Sequence, residues 1–97
     1  MHSVASVGGD ALHSKHAAFL QWRLGHDHGL GAADLAEAFG ICEGDALAML
    51  RGERPVPDWT VDASKAALNA WHFSGHVGDI RPHLQREAAA RVSPVGA

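Results

Sequence analysis

The chain has 97 residues, 46% of them hydrophobic and 20% charged; that supports one domain with a single core and excludes a charge-rich disordered chain. A formal charge of −3 excludes bulk positive charge as the means of holding a polyanion, so any nucleic-acid contact must come from Arg and Lys gathered on one face. The single cysteine, Cys42, excludes an internal disulfide and a cysteine-based zinc site and fits a reducing compartment, and no run nears the roughly 18 apolar residues of a membrane helix.

Residues 1–12 read as an unstructured lead-in hinged at Gly8-Gly9. The opening MHSVASVGGDALH lacks the basic start and apolar run of a signal peptide, so the expectation is a cytoplasmic protein. A first helix is predicted over Ser14–Leu24, with Ser14 as N-cap. Ala17, Leu20 and Leu24 recur at helical spacing, and Phe19 and Trp22 widen the apolar face. GHDHGLG, with Gly25, Gly29 and Gly31, is expected to break it.

A second helix is predicted over Ala32–Phe39, with Leu35, Ala36 and Phe39 on one side and Asp34 and Glu37 on the other. Gly40 ends it as a residue free to take positive φ. A third spans Glu43–Leu50, its inward side built from Ala46, Met49 and Leu50, and Gly52 with ERPVP stops it. A fourth spans Thr60–Phe73, capped by Asp58 or Thr60, with Val61, Leu68 and Trp71 as its buried stripe. The last runs Pro82–Val92, proline standing in the first turn where its missing N–H does no harm. Ile80, Leu84, Ala88 and Val92 recur every four residues, as core or as a homodimer seam. No segment shows strand alternation. The fold class expected is all-α: a compact bundle of about five short helices. Residues 13–78 form its main domain, and residues 79–97 supply a C-terminal helix and tail.

Short helices with a tight glycine turn between the second and third describe a helix-turn-helix. Small side chains at Ala36 and Gly40 let the two helices cross, Ile41 plugs the corner, and Ala46 with Met49 seats the third helix. From Leu30 to Pro57, ADLAEAFGI followed by the third helix and LRGERPVP resembles the Cro/C1-type (XRE-like, lambda-repressor-like) helix-turn-helix of small phage-type repressors. The further run HVGDIRPHL, His76 to Leu84, is similar to the ending of YdaS/Cro-like regulators, so the resemblance covers about Leu20–Leu84.

The resemblance implies a phage- or mobile-element-type transcriptional repressor. It would bind a palindromic double-stranded DNA operator as a homodimer and place the third helix, about Glu43–Arg51, in the major groove. Carried over by position, the groove-facing residues are Cys42, Glu43, Gly44, Leu47, Ala48 and Arg51, with Arg54 in the following loop. Bidentate readout of guanine needs Arg or Lys and readout of adenine needs Asn or Gln, and of these positions only Arg51 qualifies. Glu43 can accept from cytosine N4, and Leu47 or Ala48 can touch a thymine methyl. Phosphate contacts would come from Arg51 and Arg54 with Lys15, Arg23, Lys65, Arg81, Arg86 and Arg91 as further cations.

A second reading rests on charge. Leu30 to Leu50 contains no Lys or Arg, so Asp34, Glu37, Glu43 and Asp45 could instead meet a basic protein partner. The chain would then be a helix-turn-helix-derived adaptor, such as a phage-encoded inhibitor or an antitoxin. No cofactor and no metal site are expected. His72 and His76 stand four apart, but Gly75 intervenes and no further ligand completes a set, so the eight His read as solvated surface groups. Cys42 reads as a small residue filling the turn, and the three Trp as core or interface, with Trp59 packing the loop onto the body. No Ser/His/Asp order, phosphate loop or metal triad marks an enzyme.

Overall fold

The computed structural model describes residues 15–92 and contains, among them, five helices and no strand. Helix α1 covers residues 15–28, and its stretch Leu20–His26 is π-helical. It is followed by α2 (Ala32–Phe39), α3 (Glu43–Leu50), α4 (Asp58–Phe73) and α5 (Arg81–Val92). The lead-in over 1–12, the Ser14 cap and the tail after Val92 lie outside the described residues.

The second and third helices have the bounds the sequence predicts. The first does not stop at Leu24. In the π segment the wider turn is visible in the Asp27 N–H, which donates to the Trp22 carbonyl as well as to that of Leu24. Gly25 sits inside this helix because glycine permits a break without compelling one. The stop falls at Gly29, whose φ is 71°, and the Leu30 N–H then closes onto the Leu24 carbonyl at 3.1 Å. Trp22 does not join the apolar face: it is 59% exposed and lies against the His26 ring with centroids 4.9 Å apart. Its offset of two from both Leu20 and Leu24 turns it away from the side they bury.

Leu20, Leu24, Leu35, Phe39, Ala46, Met49, Val56 and Val61 form one core with the inner faces of α4 and α5. Trp59 stands edge-on to Phe39, ring centroids 5.6 Å apart, and pins the loop after α3 to that core. The buried side of α4 is Thr60, Val61, Ala63, Ser64 and Ala67; of the predicted stripe Val61 belongs to it, but Leu68 and Trp71 do not. Those two large side chains are only half-buried and flank the contact. Small residues occupy its centre because α5 packs along α4, and close approach is possible only where the side chains are short. The two buried hydroxyls cost nothing in lost hydrogen bonds: Thr60 Oγ1 donates to the Pro57 carbonyl at 2.6 Å and Ser64 Oγ to the Thr60 carbonyl at 2.7 Å.

Ile80, just before α5, and Leu84 and Ala88 on it are at most 1% exposed within one chain. Of the two readings of this stripe, core or seam, these three residues take the core. They are spent on α2 and α4, and nothing of them remains to offer a second copy; the Val92 side chain lies outside the description. Arg81 fastens the same junction from outside. Its guanidinium reaches Asp34 on α2 at 3.3 Å and Asp79 at 2.6 Å, while Asp34 also accepts the Gly31 N–H at 3.0 Å and so caps α2.

Ile80→Val should lower the free energy of unfolding by about 0.5–1.5 kcal/mol and leave the sedimentation behaviour unchanged, as checked by urea unfolding and analytical ultracentrifugation. The Arg81 guanidinium beside Asp79, aided by the Arg81 backbone N–H, holds that carboxyl below the usual carboxylate range. A depressed folded value means that the contact's contribution is complete above the ordinary aspartate pKa and is lost as pH falls through the lowered one. Carboxyl carbon shifts followed through an acid titration should therefore place Asp79 below a free aspartate, and Arg81→Gln should move it back towards one.

Candidate nucleic-acid interface

Helices α2 and α3 meet at a left-handed residue. Gly40 has φ 73° and ψ 34°, and the N–H groups of Gly40 and Ile41 both close onto the Ala36 carbonyl, at 2.9 and 3.1 Å. A Cβ built on Gly40 would meet nothing within 4 Å. The glycine is thus required for its backbone angle rather than for space, which corrects the expectation that position 40 must be small for the helices to cross. Ala46 and Met49 are buried against α2, Ile41 is half-buried in the corner, and Leu50 packs partly on the core.

Both ends of α3 are closed by specific contacts. At its start Cys42 Sγ accepts the Asp45 N–H at 3.4 Å, so the thiol is an N-cap rather than turn filler. At its end the Glu53 N–H reaches the Ala48 carbonyl at 2.8 Å and the Gly52 N–H that of Met49 at 3.1 Å, around Gly52 with φ 73°. The Gln21 side-chain amide donates to the Leu50 carbonyl and ties α1 to the same end. Neither the sulfur cap nor the Gln21 tie was foreseen from the sequence. A cap-position residue before Glu43 was a usable signal for the first, whereas the second depends on how α1 lies over the loop.

With its inner side seated, α3 packs chiefly on α2, and its outer side is open. Cys42, Glu43, Gly44 and Arg51 are exposed, Leu47 is 38% exposed, and Ala48 is half-buried. Arg54 is exposed too, but its guanidinium lies 2.6 Å from Asp45 on the first turn of α3. One of the two acidic groups at the start of the helix is therefore balanced by the loop that follows it. Arg51 has no carboxylate partner among the described residues, nor does Lys15. The beginning of α1 adjoins the same loop: His16 Nε2 is 3.0 Å from Asp58 Oδ1, and Ala17 lies 4.0 Å from where a Gly52 Cβ would stand. Lys15, Arg51 and Arg54 thus belong to adjoining segments.

Elsewhere the cations are engaged. Arg23 lies 3.3 Å from Asp27, Arg91 lies 2.9 Å from Glu87, and Lys65 sits over the Phe19 ring at 5.8 Å. Arg86 lies 2.8 Å from His83. The acidic set is likewise reduced, because Asp34 is bound to Arg81 and Asp45 to Arg54; Glu37 and Glu43 keep exposed carboxylates without an ionic partner among the described residues. Glu43 and Asp45 occupy the positive end of the α3 dipole. They weaken it as an anion site. No helix among the described residues is long and apolar enough to cross a membrane. No family model, curated protein or solved structure matches the chain.

If Cys42 Sγ caps α3, Cys42→Ala should cost about 1 kcal/mol of stability, while Cys42→Ser, which supplies a better acceptor, should cost none. Urea midpoints of the three proteins decide the point, and equal midpoints for the Ala and Ser variants would remove the cap.

Proposed function

We propose that the protein is a small DNA-binding transcriptional regulator that lays α3 in the major groove. One observation carries the reading: a short helix is fixed to its predecessor by a left-handed turn, capped at both ends, and left open along Cys42, Glu43, Gly44, Leu47 and Arg51. A rigid helix with one free face is what groove insertion needs. Within it, Arg51 is the residue able to take guanine O6 and N7 together, Leu47 can lie on a thymine methyl, and Glu43 can accept from cytosine N4. Lys15 and Arg51 supply cations for the flanking phosphates. The Arg54–Asp45 pair is about half exposed, and an exposed pair is worth at most about 1 kcal/mol. Arg54 can therefore trade its carboxylate for a phosphate at small cost. Two copies on a palindromic site would set their α3 helices about 34 Å apart or a multiple of that. With the α5 stripe spent on the core, that pairing would use another surface.

A second reading is favoured by one specific feature. Asp45 draws Arg54 back onto the body, and Glu37 and Glu43 remain open, which suits a basic protein partner better than a duplex. Selection from a random duplex pool separates the two. A regulator should enrich a two-fold symmetric site, lose affinity steeply with added salt, and lose about 1–3 kcal/mol on Arg51→Ala. Failure to retain any duplex at low salt would leave the adaptor.

A further inference from the structure

Four histidines, His26, His28, His72 and His76, line an open cleft of about 730 Å³ where the end of α1 faces the end of α4. The sequence separates His72 from His76, because Gly75 ends the helix between them. The helix does end at Phe73, but the chain keeps curling. The Gly75 N–H closes onto the His72 carbonyl at 3.0 Å and the His76 N–H onto that of Trp71 at 3.2 Å. Gly75 takes φ 91° and His76 itself takes φ 62°. The outcome is that His72 Nδ1 and His76 Nε2 are joined by a hydrogen bond of 2.5 Å.

Trp71 holds this arrangement from behind. Its indole Nε1 donates to the Gly78 carbonyl at 3.0 Å, and its ring stands edge-on to His76 and to His28, centroids 4.8 and 4.6 Å away. The opposite wall is the end of α1, where the π-helical stretch presents Arg23 and His26, and Asp27 follows it. π-Helical turns concentrate at functional sites, and a left-handed residue other than glycine persists only where surrounding structure enforces it. Both departures flank one cleft, which is why it stands out from the other surfaces. The reading is independent of any DNA contact by α3.

We propose that His72 Nδ1 and His76 Nε2 are a chelating pair for a late first-row divalent ion of the copper, nickel and zinc class, bound at the floor of this cleft. The two imidazole nitrogens already converge, and the proton between them moves to the far nitrogen of its own ring when the ion takes its place. Metal–nitrogen bonds of about 2.0–2.1 Å need the pair to open only to a separation of about 3 Å, a rotation available to two exposed side chains. Imidazole donors select this class of ion over magnesium or calcium, which take oxygen. Among the described residues no three His, Cys, Asp or Glu stand ready as a complete ligand set, so water completes the coordination on the cleft side. Asp27 lies against His26 and Arg23, which leaves the rim close to neutral.

The test is titration of the full chain with the chlorides of copper(II), nickel(II) and zinc, read by calorimetry and by tryptophan fluorescence. Copper or nickel at this point should quench Trp71 strongly, and one ion per chain should saturate the signal. His72→Ala should weaken binding by at least about tenfold, since a chelate becomes a single ligand. His76→Gly should do the same while relieving the left-handed backbone, so the loss there is not a loss of fold. His83→Ala, on α5, should bind as the parent does, and Trp71→Phe should bind but quench less. In nitrogen-15 spectra of the imidazoles, Nδ1 of His72 and Nε2 of His76 should shift on zinc addition. The proposal is overturned if His72→Ala/His76→Gly binds with the parent's affinity, if those two nitrogens do not respond, or if none of the three ions binds.

Discussion

The arrangement depends on the burial of Ile80, Leu84 and Ala88 between α4 and α2. A chain of this size supports one core, and without α5 the inner faces of α2 and α4 would have no common cover. Once α5 fills that place, α3 is left packed chiefly on α2, with its far side free. The surface that carries the functional argument is thus a by-product of where the core closes. The small residues of α4, Ala63, Ser64 and Ala67, belong to the same constraint, because they set how closely α5 can approach.

Charge follows packing. The acidic stretch from Leu30 to Leu50 looks one-sided in sequence, but the fold returns a cation to two of its four carboxylates: Arg81 to Asp34 across α2 and α5, and Arg54 to Asp45 across α3 and its loop. Such exposed pairs add little stability. Their effect is on the field around α3, where one carboxylate is balanced and Arg51 stays unpaired among the described residues. The net charge of −3 is therefore a poor guide to the potential that a duplex or a protein would meet at this face. The local pairing decides it.

The two-helix corner was legible because several local signals agree there. Leu35, Ala36 and Phe39 repeat at helical spacing, Gly40 and Gly52 stand at the two left-handed positions, and a proline-rich loop follows. Each can be judged from neighbours in sequence. The misreadings arise where a residue's role depends on something distant. Leu68 and Trp71 have the spacing of a buried stripe, but α5 favours the small residues beside them. Ile80, Leu84 and Ala88 have a spacing that serves a core or a seam equally, and only the tertiary fold decides for the core by covering them with α2 and α4. Cys42 as a sulfur N-cap and Gln21 on the Leu50 carbonyl are single contacts that leave no periodic trace.

Three further misreadings gather in one place. The expected stop at Gly25, the expected burial of Trp22 and the expected separation of His72 from His76 all concern the π-helical turn and the left-handed residue that flank the histidine cleft. Along α2 and α3, by contrast, local preference and global fold coincide. A histidine at φ 62° where glycine would be cheaper, across from Arg23 and His26 of the π-helix, is a departure on both walls of one space. Departures of that kind are tolerated where function compensates for them. The chain therefore has two regions of different character: a corner built from agreement between local signals, suited to presenting a rigid helix, and a cleft built against them, suited to holding a ligand. Helix α1 joins the two, with Gln21 bound to the end of α3 and His26 on the cleft wall. Both residues belong to its π-helical stretch, Gln21 in the first turn and His26 at the end.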